Sequence, residues 1–319
     1  MEEQNLKYIS NIEIKGLWGR YDVNWKLNSD VNILVGENGT GKSTILKSII
    51  ELFELLNNVS NFESQANVYV EHLNISYNFK KDKVELIYNN TELGYFFNSI
   101  INDELYFDYN FRENLLEVRK KKLVFISNNF KPDFIKTFDS NPFDSNDDNK
   151  KNYTPLDKEL DKVMRNYLEY QLNKSNQLIF NKLPQDEAFG KKLFLIENLN
   201  RLFKPTKKFI DTSVNEIAFK TVDDHRINWL DLSSGEKQLL IILLTVLCQD
   251  EKPSILLMDE PEISLDIAWQ FELLSILRTL NPNCQLIIVT HSPAIYGKGW
   301  RDKVTFIEDI IPQLKKATV

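Results

Sequence analysis

The stretch Gly36-Glu37-Asn38-Gly39-Thr40-Gly41-Lys42-Ser43 matches in full the spacing G-x-x-x-x-G-K-[ST] of a phosphate-binding loop. Residues 31–35, before it, are rich in apolar and β-branched types and predict a strand. Residues 45–56, after it, carry apolar side chains at helical spacing. This order of strand, loop and helix is the setting in which the motif binds a nucleotide. A glycine-rich turn that binds nothing would account for the glycines but not for the lysine, the serine and both flanking elements.

Each residue type in the loop has a chemical purpose. Glycines allow backbone N–H groups to surround phosphates at a helix N-terminus, the Lys42 amine reaches the β and γ phosphates, and the Ser43 hydroxyl is placed for Mg²⁺. We therefore predict that the nucleotide is contacted by Gly36, Glu37, Asn38, Gly39, Thr40, Gly41, Lys42, Ser43 and the adjoining Thr44.

Length and composition limit the class of protein. The 319 residues fit one large α/β domain that carries an insertion. With 46 acidic against 39 basic residues, the chain has no general basic coat for nucleic acid, although a local basic patch stays open. Cys248 and Cys284 lie in apolar stretches, which predicts buried, reduced thiols. The first residues lack the pattern of a signal peptide and no run of 18 apolar residues occurs, so we expect a cytoplasmic protein without a membrane partner.

Alternating apolar residues predict antiparallel strands on both sides of the loop. Residues 9–17 and 21–27 form a predicted hairpin, and residues 68–88 predict further strands joined by a charged turn at 80–83. In the hairpin turn, Trp18 or Tyr21 is a candidate for stacking on the nucleotide base. Ordinary hairpin side chains are the equally open interpretation.

The middle of the chain predicts a helical insertion. Residues 123–127 form an apolar strand of the main sheet, and residues 139–152 consist almost entirely of turn formers and charges. Helical spacing then covers 156–172 and 187–203. The resulting insert, 153–203, is too short and too interrupted at 181–184 for a long coiled-coil arm.

The second half holds three further candidate stretches. Leu232-Ser233-Ser234-Gly235-Glu236-Lys237-Gln238 precedes an apolar helix at 239–247, and it is open to two interpretations: a capping box of Ser233 with Glu236, or an anion-binding helix N-terminus. The buried strand at 255–260 ends in Asp259, suited to Mg²⁺, and Glu260, suited to activating water. The strand at 285–290 is followed by His291, which is structural by default but becomes a candidate γ-phosphate sensor after such an acid pair.

The order of these motifs resembles the ATP-binding cassette (ABC) ATPases over most of the chain. The matching elements are the Walker A motif 36–43, the signature motif 232–238, the Walker B motif 255–260, the D-loop Ser264-Leu265-Asp266 and the switch histidine His291. The amino-acid sequences of these motifs are similar to those of the SMC, RecF and OLD-like group, particularly the small ATPases of bacterial phage-defence systems such as PARIS and Septu. The resemblance implies an α/β fold, an ABC-type ATPase head with a mixed central sheet, an antiparallel β subdomain and a helical insertion. Its expected parts are an N-terminal lobe at 1–130, an insertion at 131–210 and a C-terminal lobe at 211–319.

The resemblance also implies chemistry and partners. It implies ATP and Mg²⁺ as cofactors, with Lys42, Glu260 and His291 as catalytic residues and with Ser43 and Asp259 as metal ligands. It implies a homodimer or higher oligomer in which Ser233 and Gly235 of one copy face the γ-phosphate held by the other, with Asp266 coupling the two sites. Two features depart from the family. Residues 125–129 lack the expected glutamine, for which Asn128 is a candidate substitute. The signature motif has Ser234 and Glu236 where transporter subunits favour glycine and glutamine.

Several functions stay open. The first is an ATPase switch in anti-phage defence that controls a separately encoded effector, such as a nuclease. The alternatives are a transporter nucleotide-binding subunit, a RecF-like DNA-repair ATPase and an ATP-stabilised scaffold that does not hydrolyse. The basic run 204–208 is a candidate contact for nucleic acid or an acidic partner, or an exposed linker.

Overall fold

Five parallel strands form the sheet that carries the candidate motifs, and their order across the sheet is Val304–Phe306, Val31–Val35, Cys284–Val289, Ser254–Asp259 and Asp133–Ile135. The computed structural model describes residues 8–18, 20–57, 72–79, 82–91, 94–101, 106–110, 115–119, 133–135, 153–180, 184–214 and 217–315. The strands are β1 Ile9–Leu17, β2 Tyr21–Lys26, β3 Val31–Val35, β4 His72–Phe79, β5 Asp82–Thr91, β6 Gly94–Ile101, β7 Tyr106–Asn110, β8 Leu115–Arg119, β9 Asp133–Ile135, β10 Lys208–Ile210, β11 Phe219–Thr221, β12 Arg226–Ile227, β13 Ser254–Asp259, β14 Cys284–Val289 and β15 Val304–Phe306. The α-helices are α1 Lys42–Asn57, α2 Pro155–Phe180, α3 Gln185–Phe203, α4 Ser234–Cys248, α5 Ile267–Leu280, α6 Pro293–Tyr296, α7 Ile307–Ile310 and α8 Pro312–Lys315.

Both faces of the parallel sheet are covered, which explains why β3, β13 and β14 are nearly continuous apolar runs. Helices α2, α3, α4 and α5 share one hydrophobic core with the first face. Helix α1, the β1–β2 hairpin and α7 pack on the second face. The C-terminal ends of β3, β13 and β14 lie side by side, so the phosphate loop, the acid pair and His291 follow neighbouring strands.

The antiparallel prediction is confirmed. Strands β1 and β2 pair antiparallel, and β1 continues into a sheet with the order β2-β1-β4-β5-β6. The five described strands of the central sheet are all parallel, so the antiparallel pairing predicted for a mixed sheet lies in this separate sheet. The chain closes with β15, which pairs in parallel with β3, and with the short helices α7 and α8.

The insertion differs from its prediction at one strand. Its two helices are present as α2 and α3, but β9, within the predicted insertion 131–210, pairs in parallel with β13 and forms an edge of the central sheet. Three residues are too few to show a strand pattern, which is why the sequence assigned them to the insertion. The predicted strand 123–127 and loop 139–152 lie outside the described residues. The domain boundaries at 130 and 210 stay predictions.

Several further features complete the framework. Helix α5 and the small sheet β10-β11-β12 have no counterpart among the predicted elements. Cys284 is buried and Cys248 half-buried, and burial raises the pKa of each thiol to about 12. In the described part of the chain, no helix has the length and apolar character needed to cross a bilayer.

Candidate active site

The phosphate loop connects β3 to α1, and its shape depends on glycine. Gly39 and Gly41 have φ angles of +77° and +99°, a region that favours glycine. A β-carbon on Gly36 would lie 2.3 Å from Cγ2 of Ile307, so β3 can approach α7 this closely only with glycine there. The Thr40 hydroxyl donates to the Glu37 carbonyl at 2.7 Å and fixes the turn.

Lys42 starts helix α1 and is 4% exposed. Its Nζ donates to the carbonyl oxygens of Gly36 at 3.0 Å and Glu37 at 2.6 Å. Burial lowers the pKa of Lys42, and the nearby carboxylates, Glu260 first and then Asp259, oppose that decrease without cancelling it. The phosphate loop therefore holds the Lys42 amine close to the acid pair Asp259 and Glu260.

Ser43 and Asp259 are brought together by the sheet, as the sequence predicts. The Ser43 hydroxyl donates to Asp259 Oδ1 at 2.8 Å. Two adjacent ligands of an octahedral Mg²⁺, each about 2.1 Å from the ion, lie about 3.0 Å apart, so these two oxygens fit the ion. Among the described residues, no group of three or more His, Cys, Asp and Glu side chains could hold a metal. Ser43 and Asp259 would thus hold the ion together with oxygens of a phosphate ligand, which is how proteins usually bind Mg²⁺.

Glu260 and His291 face each other at the ends of neighbouring strands. Glu260 has a φ angle of +48°, and its N–H donates to the Val289 carbonyl at 2.8 Å. This turn directs its Oε1 to within 3.6 Å of His291 Nε2, and both side chains are about one third exposed. A carboxylate and an imidazole at the open end of the sheet have the access that water activation requires.

The signature motif forms the capping box that the sequence left open. The Ser233 hydroxyl accepts from the N–H of Glu236, and the Glu236 carboxylate accepts from the N–H of Ser233. Glu236 is fully buried and also accepts from Lys208 at 2.6 Å and from Thr206 at 2.8 Å. Burial alone would raise the pKa of Glu236, but these hydrogen bonds outweigh it and hold the pKa below its usual value. Lys208 is therefore paired with Glu236 of the same chain, while Lys204 and Lys207 of the same basic run are exposed.

Ser233 and Gly235 lie beside the D-loop. A β-carbon on Gly235 would be 2.1 Å from the Ser264 carbonyl oxygen. In the described part of the chain, no hydrogen bond joins Ser233 or Gly235 to the phosphate loop. Asp266 is exposed, and its Oδ1 caps α5 by accepting from the N–H of Ala268 at 2.8 Å. The chain thus presents two separate groups: the Walker residues with His291, and the signature motif with the D-loop.

Three residues near His291 were absent from the predicted site. Glu262 Oε1 accepts from the N–H groups of His291 at 2.7 Å and Ser292 at 3.2 Å. The Ser292 hydroxyl donates to Gln270 at 2.6 Å. A second acid directly after Asp-Glu-Pro was the one available signal for Glu262.

Trp18 and Tyr21 stay predictions as residues that stack on the nucleotide base. Trp18 has a φ angle of +54° and is 40% exposed, and its ring lies beside the phosphate loop, 3.4 Å from where a Gly41 β-carbon would be. Tyr21 packs edge-on against it, with ring centroids 6.3 Å apart. Asn128, the candidate substitute for the missing glutamine, lies outside the described residues and stays a prediction.

Fold and site together are those of an AAA-type P-loop protein, and the fold is that of an SMC head domain. Residues 51–296 match the family described as "AAA domain, putative AbiEii toxin, Type IV TA system". That range is more than half of the chain, and the chain belongs to this family.

Individual relatives cover less of the chain. It is 34% identical over 122 residues to a phosphate import ATP-binding protein PstB of Ehrlichia ruminantium (strain Gardel), covering 38% of this chain and 46% of that protein. It is 42% identical over 64 residues to PstB of Malacoplasma penetrans (strain HF-2), covering 20% of this chain and 21% of that protein. The chain thus spans less than half the length of these relatives. An SMC head solved with the C-winged helix domain of ScpA superposes with a TM-score of 0.53 and 15% identity, covering 91% of each chain, and shows the fold.

Proposed function

We propose that the chain binds ATP with Mg²⁺, hydrolyses it to ADP and phosphate, and acts as a dimeric switch for a separately encoded effector. The observation that carries the hydrolysis is the pairing of Ser43 with Asp259 at 2.8 Å beside Glu260 and His291 at 3.6 Å. Bound Mg²⁺ would neutralise charge that develops on the phosphates. A metal site next to a carboxylate at the open end of the sheet is what phosphoryl transfer to water needs.

Each residue has a separate task in this proposal. Lys42 binds the β and γ phosphates, and Ser43 with Asp259 holds the ion. Glu260 orients the attacking water and accepts its proton, and His291, next to Glu260, senses the γ-phosphate. The exposure of both side chains, about one third, leaves room for the water.

The hydrolysis test is phosphate release by purified protein. Lys42→Ala should abolish ATP binding, whereas Glu260→Gln should keep binding and slow turnover by about 100-fold or more, since only the water-activating group is lost. Ser43→Ala should raise the Mg²⁺ concentration needed for half-maximal rate. Glu308→Gln is the matched control, because Glu308 also lies in the field of Lys42 but belongs to α7. Near-normal turnover in Glu260→Gln would remove it from the role of base.

The dimer is supported by the position of the signature motif. Ser233 and Ser234 are exposed at the N-terminus of α4, a 15-residue helix whose N-terminal end favours an anion. Among the described residues, neither serine forms a hydrogen bond with the phosphate loop of the same chain. Ile263 and Ile267, which flank the D-loop, are 43% and 63% exposed. A second copy that placed Ser233 and Gly235 against the γ-phosphate would also cover these side chains.

Sedimentation of Glu260→Gln with and without ATP tests the dimer. The mass should double with ATP, and Ser233→Arg should block that increase while each monomer still binds ATP, because a bulky cation would occupy the helix N-terminus. A monomer mass in both conditions would remove the shared site.

The effector is inferred from the resemblance to the ATPases of phage-defence systems. The description of the matched family names a putative toxin of a Type IV TA system, with which a second protein encoded nearby is in keeping. Co-purification with proteins encoded next to the gene tests it, and a nuclease held or released by ATP is the expected partner. The likeness to phosphate import ATP-binding proteins favours a second candidate, a transporter subunit. A neighbouring permease that co-purifies with the chain would decide for that candidate.

A further inference from the structure

The loop that carries His291 is held by one carboxylate from the segment after the Walker B motif. Glu262 Oε1 accepts from the backbone N–H groups of both His291 and Ser292, at 2.7 Å and 3.2 Å. Its Oε2 has almost no solvent-accessible surface and no hydrogen-bond partner in the described part of the chain. A desolvated and half-satisfied carboxylate is costly to keep, which points to a positional role.

The same loop is tied to the D-loop by one amide. Gln270 of α5 is 8% exposed and accepts from the Ser292 hydroxyl at 2.6 Å. Its Nε2 donates to the carbonyl oxygens of Leu265 at 2.9 Å and Glu262 at 3.4 Å. All hydrogen-bonding groups of the amide are thereby used between two loops, and a side chain held in this way has a single favoured position.

We propose that Glu262 and Gln270 are positioning residues that couple the D-loop to the switch histidine. Glu262 sets the backbone at His291, and Gln270 makes the position of Ser292 follow that of Leu265. A displacement of the D-loop would therefore move the His291 imidazole relative to Glu260, 3.6 Å away. This inference rests on the proposed role of His291 in hydrolysis, and it adds two residues that act through His291.

A double-mutant cycle on ATP turnover tests the coupling. Glu262→Ala and Gln270→Leu should each lower kcat by about 10- to 100-fold, the range for losing hydrogen bonds to charged or buried groups, with KM changed by less than about 3-fold. In a His291→Ala background, neither change should lower kcat further, because both act through that residue. Losses that multiply in the His291→Ala background would overturn the inference.

Conservative and matched variants separate positioning from charge and from folding. Glu262→Gln keeps an oxygen that can accept from both N–H groups, so kcat should stay within about 3-fold of the wild type. A loss in Glu262→Gln as large as that in Glu260→Gln would instead make the charge itself catalytic and overturn the positioning role. Glu308→Ala removes another carboxylate from the field of Lys42 and should leave kcat unchanged.

Hydrogen exchange gives a readout that does not depend on hydrolysis. The amides of His291 and Ser292 should exchange at least about 10-fold faster in Glu262→Ala than in the wild type or Glu308→Ala. Unchanged exchange at these two amides would overturn the inference even if turnover fell. If the wild-type protein did not hydrolyse ATP, the proposed function would fail, and the exchange experiment alone would decide whether Glu262 holds the loop.

Discussion

Gly235→Ala is the substitution for which the structure gives the sharpest expectation. Its β-carbon would lie 2.1 Å from the Ser264 carbonyl oxygen and 3.8 Å from the Trp269 ring. Real contacts of this kind are not shorter than 3.0 Å, so α4 and the D-loop would have to separate by about 1 Å. Backbone cannot rotate away as a side chain can, and we expect a loss of about 1–3 kcal/mol in the free energy of unfolding.

Gly190→Ala is the matched control for this change. Gly190 lies inside α3, and a β-carbon there would meet nothing within 4 Å. Alanine should therefore stabilise the protein by about 0.5–1 kcal/mol, because it only removes the entropy cost of glycine in a helix. Urea unfolding of both variants, with m-values compared to detect changes in cooperativity, measures the difference. If Gly235→Ala stabilised the protein as much as Gly190→Ala does, the close approach of the signature motif to the D-loop would be refuted.

Two buried ion pairs give the remaining predictions. Burial would raise the pKa of Asp157, but its hydrogen bonds to Lys237 and Thr154 hold that pKa below the unfolded value of 3.8. The stability that Asp157 contributes is therefore present above pH 3.8 and is lost as the pH falls through the folded pKa. Between pH 5 and 2, the free energy of unfolding of Asp157→Asn should consequently fall less steeply than that of the wild type, and equal slopes by urea titration would contradict this. Lys208→Met should cost about 3 kcal/mol because it leaves the fully buried Glu236 without its cation, whereas the exposed Lys207→Met should change the unfolding free energy by less than about 0.5 kcal/mol. Equal effects of the two lysine substitutions in urea unfolding would contradict the buried pair.

The parts predicted correctly are those whose local pattern determines the structure. The phosphate loop needs its glycines, lysine and serine in one order, and strands buried on both faces are apolar at nearly every position. Since parallel strands place their C-terminal ends together, Ser43 and Asp259 could be expected to meet although 216 positions separate them. The capping box of Ser233 and Glu236 is likewise a local pattern.

The missed parts depend on contacts between distant segments. Strands β9, β10, β11 and β12 have two or three residues each, too few for any periodicity to appear. Nothing in the sequence near Gln270 shows that its amide joins two loops, because those contacts arise only once α5 is packed. The basic run 204–208 could not be divided into ion-paired and exposed lysines for the same reason, because the partner of Lys208 is Glu236, 28 positions along the chain.

The contacts of Gly235 and Gln270 form a route from the signature motif to His291. Gly235 lies against the Ser264 carbonyl group. The carbonyl group of the next residue, Leu265, accepts a hydrogen bond from Gln270. Gln270 in turn accepts from the hydroxyl group of Ser292, which is next to His291. This route bypasses the phosphate loop, so an event at the signature motif could change His291 without altering how Lys42 binds phosphate. Gly235→Ala should accordingly speed hydrogen exchange at the amides of His291 and Ser292, because its β-carbon displaces the D-loop. In Gln270→Leu, where the link is already cut, the same substitution should add little. Equal acceleration with and without Gln270 would mean that the displacement reaches the switch histidine by another path.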